Sequence, residues 1–366
     1  MRLSLLLLAR LCATLTSACV FPFNNPRLTN SSSVADYVAE LQASGKLSDD
    51  GGKGWVTIID KDTNSDPAVW PNYKDTPNVW IEYCFATEED FTKYKDVVEE
   101  AAGEWKNKIG SGESNQHRFD GFRHYHHEDT NSDPRCRLQD GKWNPFVPEY
   151  TLMIMEADDF ITRATVGYLD ASINSHAGRH ALHLWMGPQV WKTWKWQVTH
   201  ELGHVLGLEH EHQRDDRDQY IYYDCSKLEG YATAKWRVET DPRWKGISIE
   251  DVCKSNYLGF TNDLNWWPPS QFTMDMGSDS KGKPRGQTKG KEYDHRSIMH
   301  YESHSFAANY FGSVGNVPLA YWKNGAPSDG SKPDKSNAEL IPFPTAISDL
   351  DKFGVQFLYQ YQGTEG

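Results

Sequence analysis

After residue 18 the sequence has no apolar run long enough to cross a membrane as a helix, which would need about 20 consecutive apolar residues. Positive charge is also in short supply. Against 51 Asp and Glu stand 38 Lys and Arg, a formal net charge of −13. An acidic chain repels phosphate backbones, which argues against nucleic acid as the main partner. A G-x-S-x-G elbow and a P-loop are both missing, so serine-hydrolase and nucleotide-hydrolysing chemistries have no anchor. Aromatic residues are not scarce. At 13%, with 14 Trp and 38% apolar residues in all, they suffice for a packed core and exclude global disorder. The 366 residues allow one large domain or two smaller ones.

The first 18 residues, MRLSLLLLARLCATLTSA, place an arginine before a leucine-rich run that small residues follow. This pattern predicts a secretory signal peptide, with Thr16 and Ala18 suited to cleavage before Cys19. The tail LTSAC also resembles a bacterial lipidation signal, a second reading. The destination expected is extracellular, without a membrane anchor. Of six cysteines, Cys12 and Cys19 belong to this N-terminal segment. Cys84, Cys136, Cys225 and Cys253 remain, an even number in an exported chain, which predicts two disulfides. Three connectivities are open, and the sequence neighbours Cys84–Cys136 and Cys225–Cys253 are the favoured pairs.

Residues 19–68 are polar and irregular apart from VADYVAEL and WVTII, and they hold a glycosylation sequon at Asn30. From residue 78 the pattern tightens. NVWIEYCF, YTLMIM at 150–155 and HALHLW at 180–185 read as strands. Thr87 caps a helix predicted through Trp105, with Phe91, Tyr94, Val97, Val98, Ala101 and Ala102 at helical spacing. A second helix is expected over about 194–206. A third runs through ISDLDKFGVQFLYQY at 347–361, with Ser348 as its cap. Residues 226–292 read as loop-rich. The order predicts a mixed α+β fold.

DTNSDP occurs twice, at 62–67 and 129–134. The first copy starts like an EF-hand loop but lacks its glycine and its closing glutamate, so both copies read as polar turns.

The chemistry concentrates in THELGHVLGLEHEHQRDDRD, residues 199–218. Residues four apart share one face of a helix, so His200 and His204 can aim at one point. Gly207 can end the helix in a left-handed turn, which lets His210 return as a third ligand. Neutral imidazole suits zinc, and three protein ligands leave the open position of a catalytic site. Glu201, next to the first ligand, is placed to act as general base.

This segment, together with SIMHY at 297–301, closely resembles the astacin family of metzincin zinc endopeptidases. The resemblance implies an α+β metzincin domain with two lobes around a substrate cleft, a zinc-binding helix and a Met-turn. Met299 would form that turn. Tyr301 would be a further zinc ligand that swings away to stabilise the transition state, and Glu211 would anchor the mature N-terminus. SHAGRHALHLW is similar to the family's upper-rim strand, and the terminal helix to its last helix. The likeness covers about 70–361 and implies a catalytic domain over 69–366, with 19–68 as a pro-region or N-terminal extension. Asp49, Asp50, Asp60 and Asp62 are candidates for the residue that blocks the zinc in a zymogen. The chain departs from the family in having no cysteine between 136 and 200, none near the final helix, and a long stretch from Arg217 to Ser297.

The activity implied is that of a secreted endopeptidase with one catalytic zinc ion and a polypeptide substrate. The alternatives are a catalytically silent, zinc-stabilised binding protein and a peptidase of another metzincin branch. RHYHHED at 123–129 reads as a hydrogen-bonded loop, His300 as structural, and the DDRD run as salt bridges holding a turn. His180 and His183 could pack or touch substrate.

Overall fold

The computed structural model describes residues 57–59, 69–73, 76–112, 117–158, 162–171, 175–185, 191–261, 263–274 and 286–360, of which 57–59, 191–193 and 286–288 are described by backbone alone. The expected signal peptide, nearly all of 19–68 with the four candidate aspartates Asp49, Asp50, Asp60 and Asp62, and the first DTNSDP copy lie outside this set. The chain divides into two units. One comprises Asp66–Glu209, Ser297–Met299 and Pro344–Gly366; the other holds the remainder, including β1 (Thr57–Ile59).

In the first unit, β-branched and aromatic residues make Val79–Phe85 a strand, β2, almost wholly buried. It is flanked by β3 (Phe119–His124) and β4 (Leu152–Glu156), and the sheet continues through β6 (Ala181–Leu184) to β5 (Arg163–Ala164). All neighbours are parallel except β5, which runs antiparallel to β6. Mostly parallel strands are covered on both faces, which explains their near-continuous apolar character. Strand β6 therefore pairs on both sides and is not the rim strand that the resemblance implied. The edge belongs to β5, whose two residues are too few to show an alternating pattern.

Helix α1 (Glu88–Ile109) follows β2 and starts from the expected Thr87. Thr87 and Asp90 form a reciprocal capping box, which satisfies two backbone donors that the helix itself leaves open. Its buried stripe carries Tyr94, Val97, Val98, Ala101, Ala102 and Trp105. Trp105 donates from Nε1 to the Thr199 carbonyl at 2.8 Å and so pins α2 (Trp191–Val205) against α1. The disulfide Cys84–Cys136, one of the two favoured pairs, ties the loop after β3 to β2. Within that loop the second DTNSDP copy is a tight turn, as expected, with His127 and Ser132 exchanging backbone hydrogen bonds.

The second unit carries a three-stranded antiparallel sheet of β7 (Ile221–Tyr223), β9 (Leu319–Trp322) and β10 (Ala338–Glu339), with β9 in the middle. Strand β1 pairs antiparallel with β8 (Gly286–Thr288). The stretch read as loop-rich is more structured than that. It contains α3 (Tyr231–Thr240), α4 (Ile249–Lys254) and several single 3-10 turns around a core of Trp244, Val252, Leu264, Trp266 and Phe272. Helix α3 buries only Ala234 and Val238, too few repeats to stand out in a sequence window. The second favoured disulfide, Cys225–Cys253, closes this region on α4. Helix α5 (Asp349–Leu358) ends the first unit's fold, with Ser348 and Asp351 forming a capping box. Among the described residues no helix is long and apolar enough to cross a membrane.

Candidate metal centre

Helix α2 ends where the sequence placed its stop. Gly207 sits at φ 96°. The Gly207 amide bonds the His204 carbonyl and the Leu208 amide bonds the Gly203 carbonyl, the two closing bonds of a Schellman turn. Two residues further on the chain reaches His210. The ligand atoms of His200, His204 and His210 all lie within 4.8 Å of one another, and all three residues are buried. It is the one such group of three His, Cys, Asp or Glu residues among the described residues.

The ring tautomers follow from the acceptors. Nδ1 of His200 faces the Ile298 carbonyl at 2.7 Å, and Nδ1 of His204 faces the Leu208 carbonyl at 2.8 Å. A carbonyl can only accept, so both Nδ1 atoms carry the proton, and a metal would be held through Nε2. For His210 the acceptor is Gln213 Oε1 at 2.8 Å. The Gln213 amide nitrogen donates to the Thr273 carbonyl at 3.0 Å, which fixes that amide's orientation. Burial lowers the His200 pKa to about 4, so the ring is neutral, the form that binds metal. Three buried imidazoles with oriented rings fit a zinc site.

Beneath α2, Ser297, Ile298 and Met299 are fully buried. A Cβ on Gly203 would collide with Met299 Sδ and press on Trp105, so only glycine lets the turn approach the helix. Asp351 of α5 holds the turn, accepting from Ser297 Oγ at 2.5 Å and from the Ile298 amide at 2.9 Å. Glu201 is completely buried on α2 beside His200.

In the second unit Tyr301 lies against the third ligand, its ring centroid 4.7 Å from that of His210. It stacks on His212 at 4.3 Å, and its hydroxyl donates to Gln271 Oε1 at 3.2 Å. Glu211 is fully buried. Its Oε1 accepts from Arg214 and from the Asp294 amide, each at 2.8 Å, and Oε2 has no partner among the described residues. Burial pushes its pKa up to about 8, against the pull of Arg214 and the Asp294 amide.

Other singled-out residues are structural, as expected. His300 donates from Nδ1 to the Tyr301 carbonyl and accepts from the Tyr293 hydroxyl, both at 2.7 Å. The DDRD run is laced by Arg214–Asp216 at 2.9 Å, Arg217–Asp218 at 3.3 Å and Lys289 with Asp215. His126 bonds Asp133 at 2.8 Å in the RHYHHED loop. His180 packs inside, accepting from the Leu169 amide and donating to the Tyr150 carbonyl, both at 2.8 Å. His183 alternates to the more open side of β6.

Sequence reading missed Gln213, His212 and Gln271. The three-residue offset from His210 to Gln213 was available as a signal. Gln271 has none, because it lies 61 positions beyond His210 in a stretch without periodicity.

The pattern of the peptidase family described as Astacin matches residues 175–249, which contain His200, Glu201, His204 and His210. The segment that carries the three histidines is thus similar to the astacin family. The fold around that segment is mixed α+β, as the order of elements predicted. The astacin-like metalloendopeptidase of Coturnix japonica is 29% identical over 126 residues, which is 34% of this chain and 20% of that protein. The Gallus gallus counterpart shows the same identity over the same length. The match thus spans about a fifth of the length of these curated relatives. Among solved structures, high choriolytic enzyme 1, a hatching enzyme zinc-protease from Oryzias latipes (medaka), aligns at 15% identity with a TM-score of 0.43. That alignment covers 81% of this chain and 96% of that one. Myroilysin aligns at 16% identity and a TM-score of 0.40, over 81% and 97%.

Proposed function

We propose that this chain is a secreted zinc-dependent endopeptidase. His200, His204 and His210 would hold one catalytic ion, with Glu201 as general base and Tyr301 as the group that stabilises the transition state. The observation that carries the reading is the set of three buried imidazoles whose Nδ1 protons are each directed at an oxygen acceptor. Zinc, when bound, polarises a carbonyl and lowers the pKa of a water molecule towards about 7. The chain supplies the rest. Glu201 takes a proton as the water oxygen bonds to the scissile carbon, then passes it to the amine nitrogen as the C–N bond breaks. The Tyr301 hydroxyl is a donor suited to the oxygen on which charge builds. Replacing Glu201 with Gln keeps size and hydrogen bonding but removes the base. We expect Glu201→Gln to retain zinc and fold and to lose about 10²–10⁴-fold in peptide cleavage. A chelator should abolish cleavage by the parent. Activity of the variant within tenfold of the parent would take Glu201 out of the mechanism.

Maturation belongs to the same reading. Residues 1–18 as a signal peptide and 19–68 as a pro-region are supported by the leucine-rich leader and by two disulfides, which persist in oxidising compartments. The buried Glu211, with one carboxylate oxygen unbonded among the described residues, is chemically suited to receive a new amino terminus. Mass mapping of the exported protein should find an N-terminus near residues 65–75. An active form that starts at residue 19 would discredit the zymogen.

A further inference from the structure

Four consecutive main-chain carbonyls, from Ser270 to Thr273, all accept hydrogen bonds from side chains of the 210–217 segment. Gln213 Nε2 donates to Ser270 at 3.4 Å and to Thr273 at 3.0 Å. His212 Nε2 donates to Gln271 at 2.8 Å, and Arg217 donates to Phe272. Carbonyls at the end of a short 3-10 turn lack helical partners, so this row presents acceptors to whatever packs against it. Here they organise the metal centre's surroundings. Gln213 is held by its amide so that Oε1 faces His210. His212 accepts the Tyr301 amide on Nδ1 at 3.3 Å, and the Tyr301 hydroxyl returns to the Gln271 side chain at 3.2 Å. Gln271, His212 and Tyr301 thus form a closed ring of hydrogen bonds. The turn itself is tied back, since Thr273 Oγ1 donates to the Lys254 carbonyl at 2.7 Å, next to the Cys225–Cys253 disulfide.

We infer that the turn Pro268–Phe272 with Thr273 is a bracket that positions the third metal ligand through Gln213 and the active-site tyrosine through Gln271. The tyrosine half rests on the peptidase reading; the ligand half does not. Gln213 fixes the ring rotation and tautomer of His210, as outer partners of metal-binding histidines do. Gln271 fixes where the Tyr301 hydroxyl rests, so its removal costs orientation rather than binding.

The test uses the full mature chain. By chelator competition, Gln213→Leu should bind zinc about 10–100-fold more weakly than the parent. Gln213→Glu, which keeps an oxygen for the His210 proton but loses the donor to the Ser270 and Thr273 carbonyls, should recover only part of that affinity. Gln271→Leu should leave zinc affinity unchanged and lower kcat about tenfold at constant KM. Gln271→Glu should hold kcat within about threefold of the parent. In a Tyr301→Phe background the Gln271→Leu effect should vanish, because the two residues act through one contact. Zinc binding by Gln213→Leu within threefold of the parent would overturn the ligand half. Multiplying losses for Gln271→Leu and Tyr301→Phe would overturn the other. Should Gln213→Leu not fold, Gln213→Glu decides, and zinc affinity equal to the parent's counts against the bracket; should Gln271→Leu not fold, a tenfold loss of kcat in Gln271→Glu counts against it. A parent that cuts no peptide but whose zinc affinity still depends on Gln213 would end the peptidase reading and leave the ligand half standing.

Discussion

Apart from His117, the buried histidines among the described residues fall into two kinds, and hydrogen-bond chemistry tells them apart. His180, His212 and His300 each have both ring nitrogens bonded to named protein groups, one donating and one accepting. Such rings are locked neutral and act as spacers in the core. His200, His204 and His210 instead direct Nδ1 at an oxygen and turn towards one another. Asp351 shows how much one further side chain holds. It is completely buried, belongs to the capping box of α5, and receives Ser297 and Ile298 of the turn beneath the metal centre. Asp351→Ala would leave those buried donors without an acceptor, at about 1–3 kcal/mol for each. We expect a loss of about 2–4 kcal/mol in urea unfolding, and a smaller loss for Asp351→Asn, which keeps an acceptor oxygen. An Ala variant within about 0.5 kcal/mol of the parent would show that the turn is held by packing alone.

At the scale of elements, what the sequence showed is what local chemistry writes. Thr87 and Ser348 announced their helices because a hydroxyl three residues before an acid closes a capping box. Gly207 announced the end of α2 because the left-handed turn there needs it. The three histidines were readable for the same reason: the eleven residues from His200 to His210 and one turn bring all three imidazoles together. Elements that depend on distant partners stayed hidden. Strand β6 looked like a rim strand until the two-residue β5 was seen to cover its open side. Strand β1 pairs with residues more than two hundred positions away. The bracket at 268–273 is legible only in three dimensions, since its acceptors are backbone carbonyls and carry no residue signature.

For the molecule as a whole, the buried neutral histidines set a direction for pH dependence in both units. Burial lowers the His180 pKa to about 4 and the His300 pKa to about 3. In an unfolded chain each would titrate near its ordinary value of about 6.5. Between those values the unfolded state binds protons that the folded state refuses, so stability falls as pH falls through 6.5 and levels off below the folded pKa. For His180 alone the depression corresponds to about 3 kcal/mol. The histidine contribution is thus absent above pH 7 and destabilising at pH 4.5. Carboxylate protonation moves the net charge of −13 towards neutrality over the same range and relieves self-repulsion, so the raw curve mixes two opposite effects. The variant His180→Gln separates them. Its amide can donate to the Tyr150 carbonyl and accept from the Leu169 amide, but it cannot titrate. Urea unfolding at pH 7.5 and 4.5, with zinc saturating and with zinc stripped, should show the variant losing about 2–3 kcal/mol less than the parent on acidification. Parallel losses in the two proteins would mean that His180 titrates alike in the folded and the unfolded chain, so that burial does not hold its ring neutral.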